Sequence, residues 1–481
     1  MSANAFVKVF EATFCFLKKR GDFMYIDDTI AAISTPAGSG GISIIRISGK
    51  NAVEIADKVF ENSFGKKLIN AKTHTITHGF VKRADGSFVD EVLVSVMLAP
   101  NSYTKENIVE INCHGGIIST REILSLVLEN GARLAEAGEF TKRAFLNGRM
   151  DLCEAEAVVD IINSKSSASH RVSVNQLRGN LSESIDKIRE NLLMLISHLQ
   201  VLIDFADEDL EPLTDDEYRN GLLNAIGDIE NLLNSSLKGR IIKDGIKTAI
   251  VGKPNVGKSS LLNLLYGDER AIVTDIEGTT RDAIEESVML GDLVLKIADT
   301  AGIRETEDKV ESIGVEKSKS ILKDADLVIY ITDAKTVLDK NDEFIIDEVK
   351  NKNVIALVNK AEDEIKTDIE KIRKNIDNVI MFSVKEKKGI DQLKAAVEKM
   401  FEQGDVQNSD EAIITNVRHT EALKKSLVAV KSAVDAIDGG IPLNMTFIDI
   451  ENAISALGEI TGQTVGEEIV DRIFHSFCVG K

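Results

Sequence analysis

Hydrophobic positions change their spacing along this chain, and each change marks a region. From about Tyr25 to Phe145 the apolar residues alternate or run in short strips, so Asp28–Ile33, Ile42–Ile47, Val92–Leu98 and Ile108–Ile111 are predicted strands. Pro36–Gly41 is the turn between the first two, and Ile117–Leu128 has helical spacing. These elements predict a compact α+β domain at 25–145, in which His114-Gly115-Gly116 is a loop and the histidine a structural residue. From Asp151 to about Arg240 the period lengthens: Ile185, Ile188, Leu192, Ile196, Leu199 and Ile203 recur at steps of three and four, the core stripe of a helical bundle, with Pro212 a break between long helices. A second helical block runs from Asn416 to the end.

Between these blocks, from Ile241 to about Gln403, strands and helices alternate. Thr248–Val251, Leu293–Asp299, Leu327–Asp333, Val354–Asn359 and Val379–Ser383 read as strands, with helices after Lys258, Glu311, Asp342 and Ile390. Such alternation gives a largely parallel sheet covered by helices on both faces. The fold class is therefore multidomain α/β and α+β, with a helical domain (146–240 and 406–481) interrupted by an inserted Ras-like P-loop domain (241–405).

The chemistry is concentrated in that insert. Gly252–Ser259 reads GKPNVGKS, preceded by a strand and followed by a helical pattern. That context aims backbone N–H groups and a helix N-terminus at one point, as a polyphosphate needs. Asn255, Val256, Gly257, Lys258, Ser259 and Ser260 form the phosphate site; Lys258 reaches the β- and γ-phosphates and Ser259 ligates Mg²⁺. Further on, Thr274-Asp275-Ile276-Glu277-Gly278-Thr279-Thr280 is a polar loop whose Thr280 completes the Mg²⁺ shell. Asp299-Thr300-Ala301-Gly302 ends a strand at the γ-phosphate. Asn359-Lys360 with Glu362, and Ser383-Val384-Lys385, end later strands, where GTPases hold guanine. A carboxylate accepting from the guanine edge rejects adenine by leaving buried groups unpaired; the usual Asp is here Glu362, with Asp363 beside it. Ile303 follows Gly302 where many GTPases place a water-orienting Gln, so hydrolysis needs another polar group or a cation; Arg304, Glu305 and Glu311 are the candidates.

Composition narrows the setting. A chain of 481 residues implies two to four domains, and no run approaches the length of a membrane span. A net charge of −20 argues against a broad, sequence-independent nucleic-acid surface, though not against a local basic patch. Cys15, Cys113, Cys153 and Cys478 are far apart, which suggests neither a disulfide framework nor a zinc site and makes a reducing cytoplasm the default. Residues 1–24 are apolar and mildly basic, interrupted by Glu11, and lack a small-residue cleavage site; they are expected to be a poorly ordered extension, with Met24 an alternative start.

The chain resembles the MnmE (TrmE) family of tRNA-modification GTPases from about Asp28 to Lys481. The resemblance is carried by Gly40-Gly41-Ile42 with Arg46-Ile47-Ser48-Gly49, and by Gly138-Glu139-Phe140-Thr141 with Arg143–Asn147. It is also carried by Gly278–Asp282, Asp299–Arg304, Asn416-Val417-Arg418-His419 and the terminal Phe477-Cys478-Val479-Gly480-Lys481. It implies an N-terminal dimerisation domain that binds a tetrahydrofolate derivative (5-formyl- or 5,10-methylene-), in a K⁺-stimulated homodimer whose G domains meet. It implies a heterotetramer with the FAD-containing partner MnmG, modifying C5 of the wobble uridine (U34) of tRNA with a folate one-carbon unit. By motif, Asn255 with Thr274, Ile276 and Thr279 would hold K⁺, Glu311 would orient the water, and Cys478 would be catalytic. Arg46, Glu110, Arg149 and Lys481 match folate-contact positions, and the family's Leu-Arg pair in the C-terminal helical part is here Ile450-Glu451.

Two other readings stay open: a ribosome-assembly or signalling switch without folate chemistry, and a folate-dependent enzyme whose G domain is structural. The predicted final helix, Glu467–Phe477, presents Ile469, Ile473 and Phe474 to the bundle and leaves Cys478–Lys481 projecting beyond it.

Overall fold

The computed structural model describes residues 28–36, 38–204, 214–268, 286–297, 322–362, 364–401 and 411–481. The expected extension, residues 1–24, and Pro212 lie outside them. Contacts divide the chain into two compact units: 1–159 with 176–231 and 418–481, and 160–175 with 232–417.

The first unit holds a seven-stranded sheet in the order β3-β4-β5-β6-β2-β1-β7. Its strands are β1 (Ile30–Ile33), β2 (Gly40–Ser48), β3 (Phe60–Asn62), β4 (Thr75–Lys82), β5 (Phe88–Met97), β6 (Ile108–Gly115) and β7 (Arg133–Leu134). All pair antiparallel except β1 with β7. Alternation puts Ile45, Ile47, Val92, Val94, Val96, Val109 and Ile111 on one face, where α1 (Ala52–Val59) and α2 (Ile117–Glu129) cover them. Arg46 and Glu110 therefore fall on the other face, directly opposite each other.

Next come α3 (Glu139–Leu146), α4 (Leu152–Asn163), α5 (Ser167–Leu177) and α6 (Asn180–Asp204), the last carrying the predicted stripe. Ile185, Ile188, Leu192, Ile196 and Leu199 are all buried there. The helix α7 (Asp215–Asp244) runs on through position 240. After the second unit's sheet, α12 (Val417–Asp438), α13 (Phe447–Thr461) and α14 (Glu467–Phe474) complete the helical part. Ile450 is buried in α13 and Glu451 is exposed.

The last helix departs from its prediction. It stops at Phe474 rather than Phe477, and its buried positions are Val470 and Phe474 with Ile473 half-buried, while Ile469 is exposed. Val470 and Phe474 are one turn apart, and Phe477 folds back to pack on Phe474 at 5.1 Å between ring centres. Ending the helix early lets a third aromatic join the same core.

The second unit holds a six-stranded sheet in the order β13-β12-β11-β8-β10-β9. Its strands are β8 (Ile246–Val251), β9 (Glu286–Leu290), β10 (Leu293–Ile297), β11 (Leu327–Asp333), β12 (Val354–Asn359) and β13 (Asn378–Met381). Only β9, which the apolar pattern did not signal, pairs antiparallel. Both faces are covered. Leu327, Ile329 and Ile331 pack with α8 (Lys258–Asp268) and α11 (Ile390–Phe401), whereas Val328 and Tyr330 pack with α9 (Lys340–Val349) and α10 (Ile369–Arg373). Strands buried on both sides read as continuous apolar runs, as β11 and β12 do.

Candidate functional site

The phosphate loop links β8 to α8, and its shape is fixed from two sides. Gly257 sits at φ +109°, and a Cβ there would lie 2.3 Å from the Asn359 amide nitrogen, so no other residue fits. That Asn359 nitrogen donates to the Val256 carbonyl at 2.8 Å, while its side-chain oxygen accepts from the Val384 N–H at 3.3 Å. One buried amide thus ties the phosphate loop to the Ser383–Lys385 loop. Lys360 Nζ donates to the Asn255 carbonyl at 3.4 Å and pairs with Asp333 at 2.5 Å. Burial alone would raise the Asp333 carboxyl; Lys360 and the Lys335 amide outweigh it and hold it below its ordinary value.

Lys258 arches over its own loop, donating to the Gly252 and Lys253 carbonyls, each at 2.7 Å. Burial lowers its ammonium from the ordinary value, which lowers the cost of replacing water by an anionic partner. Ser259 and Ser260 are exposed in the first turn of α8, whose leading N–H groups no helical carbonyl can serve. Ser383 is buried, its hydroxyl accepting from the Glu386 N–H at 3.1 Å. Glu362 is exposed, within the electrostatic reach of Lys388. The structure thus brings Asn255–Ser260, Asn359, Lys360 and Ser383–Lys385 together. Thr274–Thr280, Asp299–Gly302, Ile303, Arg304, Glu305, Glu311 and Asp363 lie outside the described residues.

A second cluster forms where the chain end returns to the first sheet. Ala137 and Val479 form an antiparallel bridge, and the Cys478 carbonyl accepts from the Gly138 N–H at 3.3 Å. Gly480 lies at φ +93°, and a Cβ there would come 2.4 Å from the Ile33 carbonyl oxygen. Its carbonyl accepts from the Ser34 hydroxyl at 3.0 Å and from Arg46 Nη1 at 3.3 Å. The Arg46 Nε in turn donates to Glu110 at 2.8 Å. The Arg46 guanidinium lies 5.6 Å from the centres of both the Tyr103 and Phe140 rings, and Arg149 lies 4.6 Å from that of Tyr103. Positions more than 400 residues apart in sequence, Arg46 and Gly480 (separation 434), thus share a site.

Cys478 is the exposed cysteine among the described residues, whereas Cys113 and Cys153 are buried. Lys481 follows, half-buried, its N–H donating to the Cys478 carbonyl at 3.4 Å. Tyr103, Phe140 and Ser34 are members that sequence reasoning missed. Tertiary folding alone brings Tyr103 and Phe140 to Arg46 and Ser34 to the Gly480 carbonyl; Phe140 stands in the Gly138–Thr141 motif, but that motif by itself assigns it no site role.

The His114 side chain is exposed and pairs with Asp90 at 2.7 Å, which raises the imidazole above its ordinary pKa. No helix among the described residues is long and apolar enough to cross a membrane.

Residues 29–149 match the family model described as GTP-binding protein TrmE N-terminus, and residues 152–478 match that of the MnmE helical domain. A protein of Alkaliphilus oremlandii named tRNA modification GTPase MnmE is 48% identical over 95% of this chain and all of its own length. Proteins of the same name from Clostridioides difficile and Acetivibrio thermocellus are 45% and 47% identical, each over 95% of this chain and all of its own. With a nucleotide loop and a tail folded onto the N-terminal sheet, and at this identity over nearly its whole length, the chain belongs to the MnmE family of tRNA modification GTPases.

Proposed function

We propose that the chain hydrolyses GTP to drive modification of C5 of the wobble uridine of tRNA, as a homodimer working with the FAD-containing partner MnmG. The observation that carries this reading is the tail: Gly480 is hydrogen-bonded into the Arg46–Glu110 pair while the Cys478 thiol stays exposed beside it. A tail with no chemistry would need neither the close approach at Ile33 nor the guanidinium clasp.

The residues fit a tetrahydrofolate derivative. Two guanidiniums near the Tyr103 ring suit an anionic glutamate tail, and the Glu110 carboxylate suits the donor edge of a pterin. The group bound there would supply a one-carbon unit. Arg46, Glu110, Arg149 and Lys481 would hold it, with Tyr103 and Phe140 walling the site and Cys478 at its rim. At the other site, Lys258 and the first turn of α8 bind the phosphates, Ser259 with Thr280 would hold Mg²⁺, and Asp299–Gly302 meets the γ-phosphate. Asn255, Thr274, Ile276 and Thr279 would hold K⁺. A cation there would supply transition-state charge that the Ile303 position cannot, with Glu311 orienting the water. Glu362 would accept from guanine.

The test is a strain carrying Cys478→Ser, with wobble uridine measured by mass spectrometry and GTP turnover by the purified protein. Modification is expected to be lost while turnover and folding stay intact. Wild-type levels of modified uridine would remove Cys478 from the chemistry.

A further inference from the structure

The phosphate loop carries a second lysine, Lys253, whose ammonium is paired with carboxylates at the start of a neighbouring helix. Lys253 lies two carbonyls deep in the loop, between Gly252 and Pro254, and its side chain reaches α9 instead of solvent. Its ammonium is 2.6 Å from Asp342 Oδ2 and 3.0 Å from Asp339 Oδ2. Asp342 is almost wholly buried, with 1% of its side chain exposed. Its Oδ2 also accepts from the Asp339 N–H at 3.0 Å, and its Oδ1 accepts from the Tyr330 hydroxyl at 3.0 Å. Tyr330 is itself fully buried in the middle of β11. One carboxylate therefore joins the loop, the start of α9 and the central sheet.

Half of this arrangement is ordinary helix capping. Asp339 and Asp342 form a reciprocal capping box at the α9 N-terminus. A capping box needs no lysine, however, and a capping carboxylate on an ordinary surface helix stays in water. Here the carboxylate is buried, and a buried charge is retained only with a partner. Lys253 is the cation that the geometry supplies.

The tie matters for the nucleotide because of where Lys253 sits. Its own carbonyl is one of the two that receive the Lys258 ammonium. Fixing the Lys253 side chain on α9 fixes that carbonyl, and with it the direction in which Lys258 is held. We propose that Asp342 is a positioning residue for the phosphate loop, acting through Lys253 to hold Lys258 where a nucleoside triphosphate meets it. Asp342 touches no nucleotide; it sets the loop's shape from behind.

The test uses the full-length chain and a fluorescent GTP analogue, with the thermal unfolding midpoint followed in parallel. Asp342→Asn and Lys253→Met should each lower affinity between about twofold and thirtyfold, the span of couplings carried through packed side-chain networks. Because both break one tie, the double variant should lose no more than the worse single. Lys253→Arg, which keeps the cation, should retain most of the affinity. Tyr330→Phe removes a donor from the buried end without touching Lys253, so it should lower the unfolding midpoint and leave affinity within about twofold. Should Asp342→Asn not fold, the lysine variants carry the test alone. Wild-type affinity in Lys253→Met, additive losses in the double variant, or an equal loss in Tyr330→Phe would each overturn the proposal, since a purely structural carboxylate gives those results.

Discussion

Glu362 is the residue at which this chain departs furthest from the usual guanine-binding loop. It carries the same two acceptor oxygens as aspartate, one methylene further out, from an exposed position near Lys388. The loop before it is rigid, because Asn359 is buried and bonded at both ends of its amide. The extra length is expected to be absorbed by the side chain, so that guanine stays preferred. Competition of GTP and ATP for the purified protein checks this; comparable affinities would show the pocket broken. At this scale the sequence was most informative where the motif is local. Gly257, Lys258 and Asn359 are legible because their roles are set by a few neighbouring residues. Lys253 and Asp342 were not: each looks like a solvated charge until β11 and α9 bring them to 2.6 Å.

Among the helices, a buried polar knot ties α4 to α12 across the whole inserted unit's length of sequence. Glu156 accepts from Arg418 at 3.1 and 2.9 Å and meets His419 at 2.7 Å, all on residues of the first unit. Burial by itself would raise the Glu156 carboxyl; the charge of His419, its hydrogen bond, and then Arg418 outweigh burial and hold it at about 2. Its folded value lies below the ordinary 4.5, so its stabilising contribution is complete above about 4.5 and is lost as pH falls from there towards 2. The amount is on the order of 3 kcal/mol. Unfolding by denaturant across that range should show wild type losing stability faster than Glu156→Gln; parallel curves would contradict the assignment. The periodicity predicted α6 well, because a core stripe is a local pattern. It overran α14, because the early stop at Phe474 lets Phe477 join a core that also holds Phe145, more than 300 positions earlier. The antiparallel β9 gave no signal, since a short edge strand with polar neighbours carries little alternation.

For the molecule as a whole, the reading joins a GTPase to folate chemistry. The GTPase part makes a cation prediction: hydrolysis is slow in Na⁺ and much faster in K⁺, with the chain dimerising when GTP is held in a transition-state-like complex. Ile303 in the place of a glutamine and Asn255 in the loop motivate it. Equal rates in the two salts would remove the cation. Of the four nucleotide motifs, the phosphate loop and the Asn359 and Ser383 loops are found together, while Thr274–Thr280 and Asp299–Gly302 lie outside the described residues; the tail cluster was indicated only through resemblance. Its members come from β2, β6, the loop bearing Tyr103, α3 and the last residues, and no local pattern links strands to a chain end.

Binding of a tetrahydrofolate derivative at the Arg46–Gly480 cluster can be measured by calorimetric titration with 5-formyltetrahydrofolate. Saturable binding is expected to the wild-type chain, with affinity at least about tenfold weaker in Arg46→Ala, because a charge-assisted contact to a carboxylate is worth roughly 1.5–3 kcal/mol. Removal of Lys481 should weaken it as well. No saturable heat with the wild-type chain, or unchanged affinity in both variants, would contradict the account.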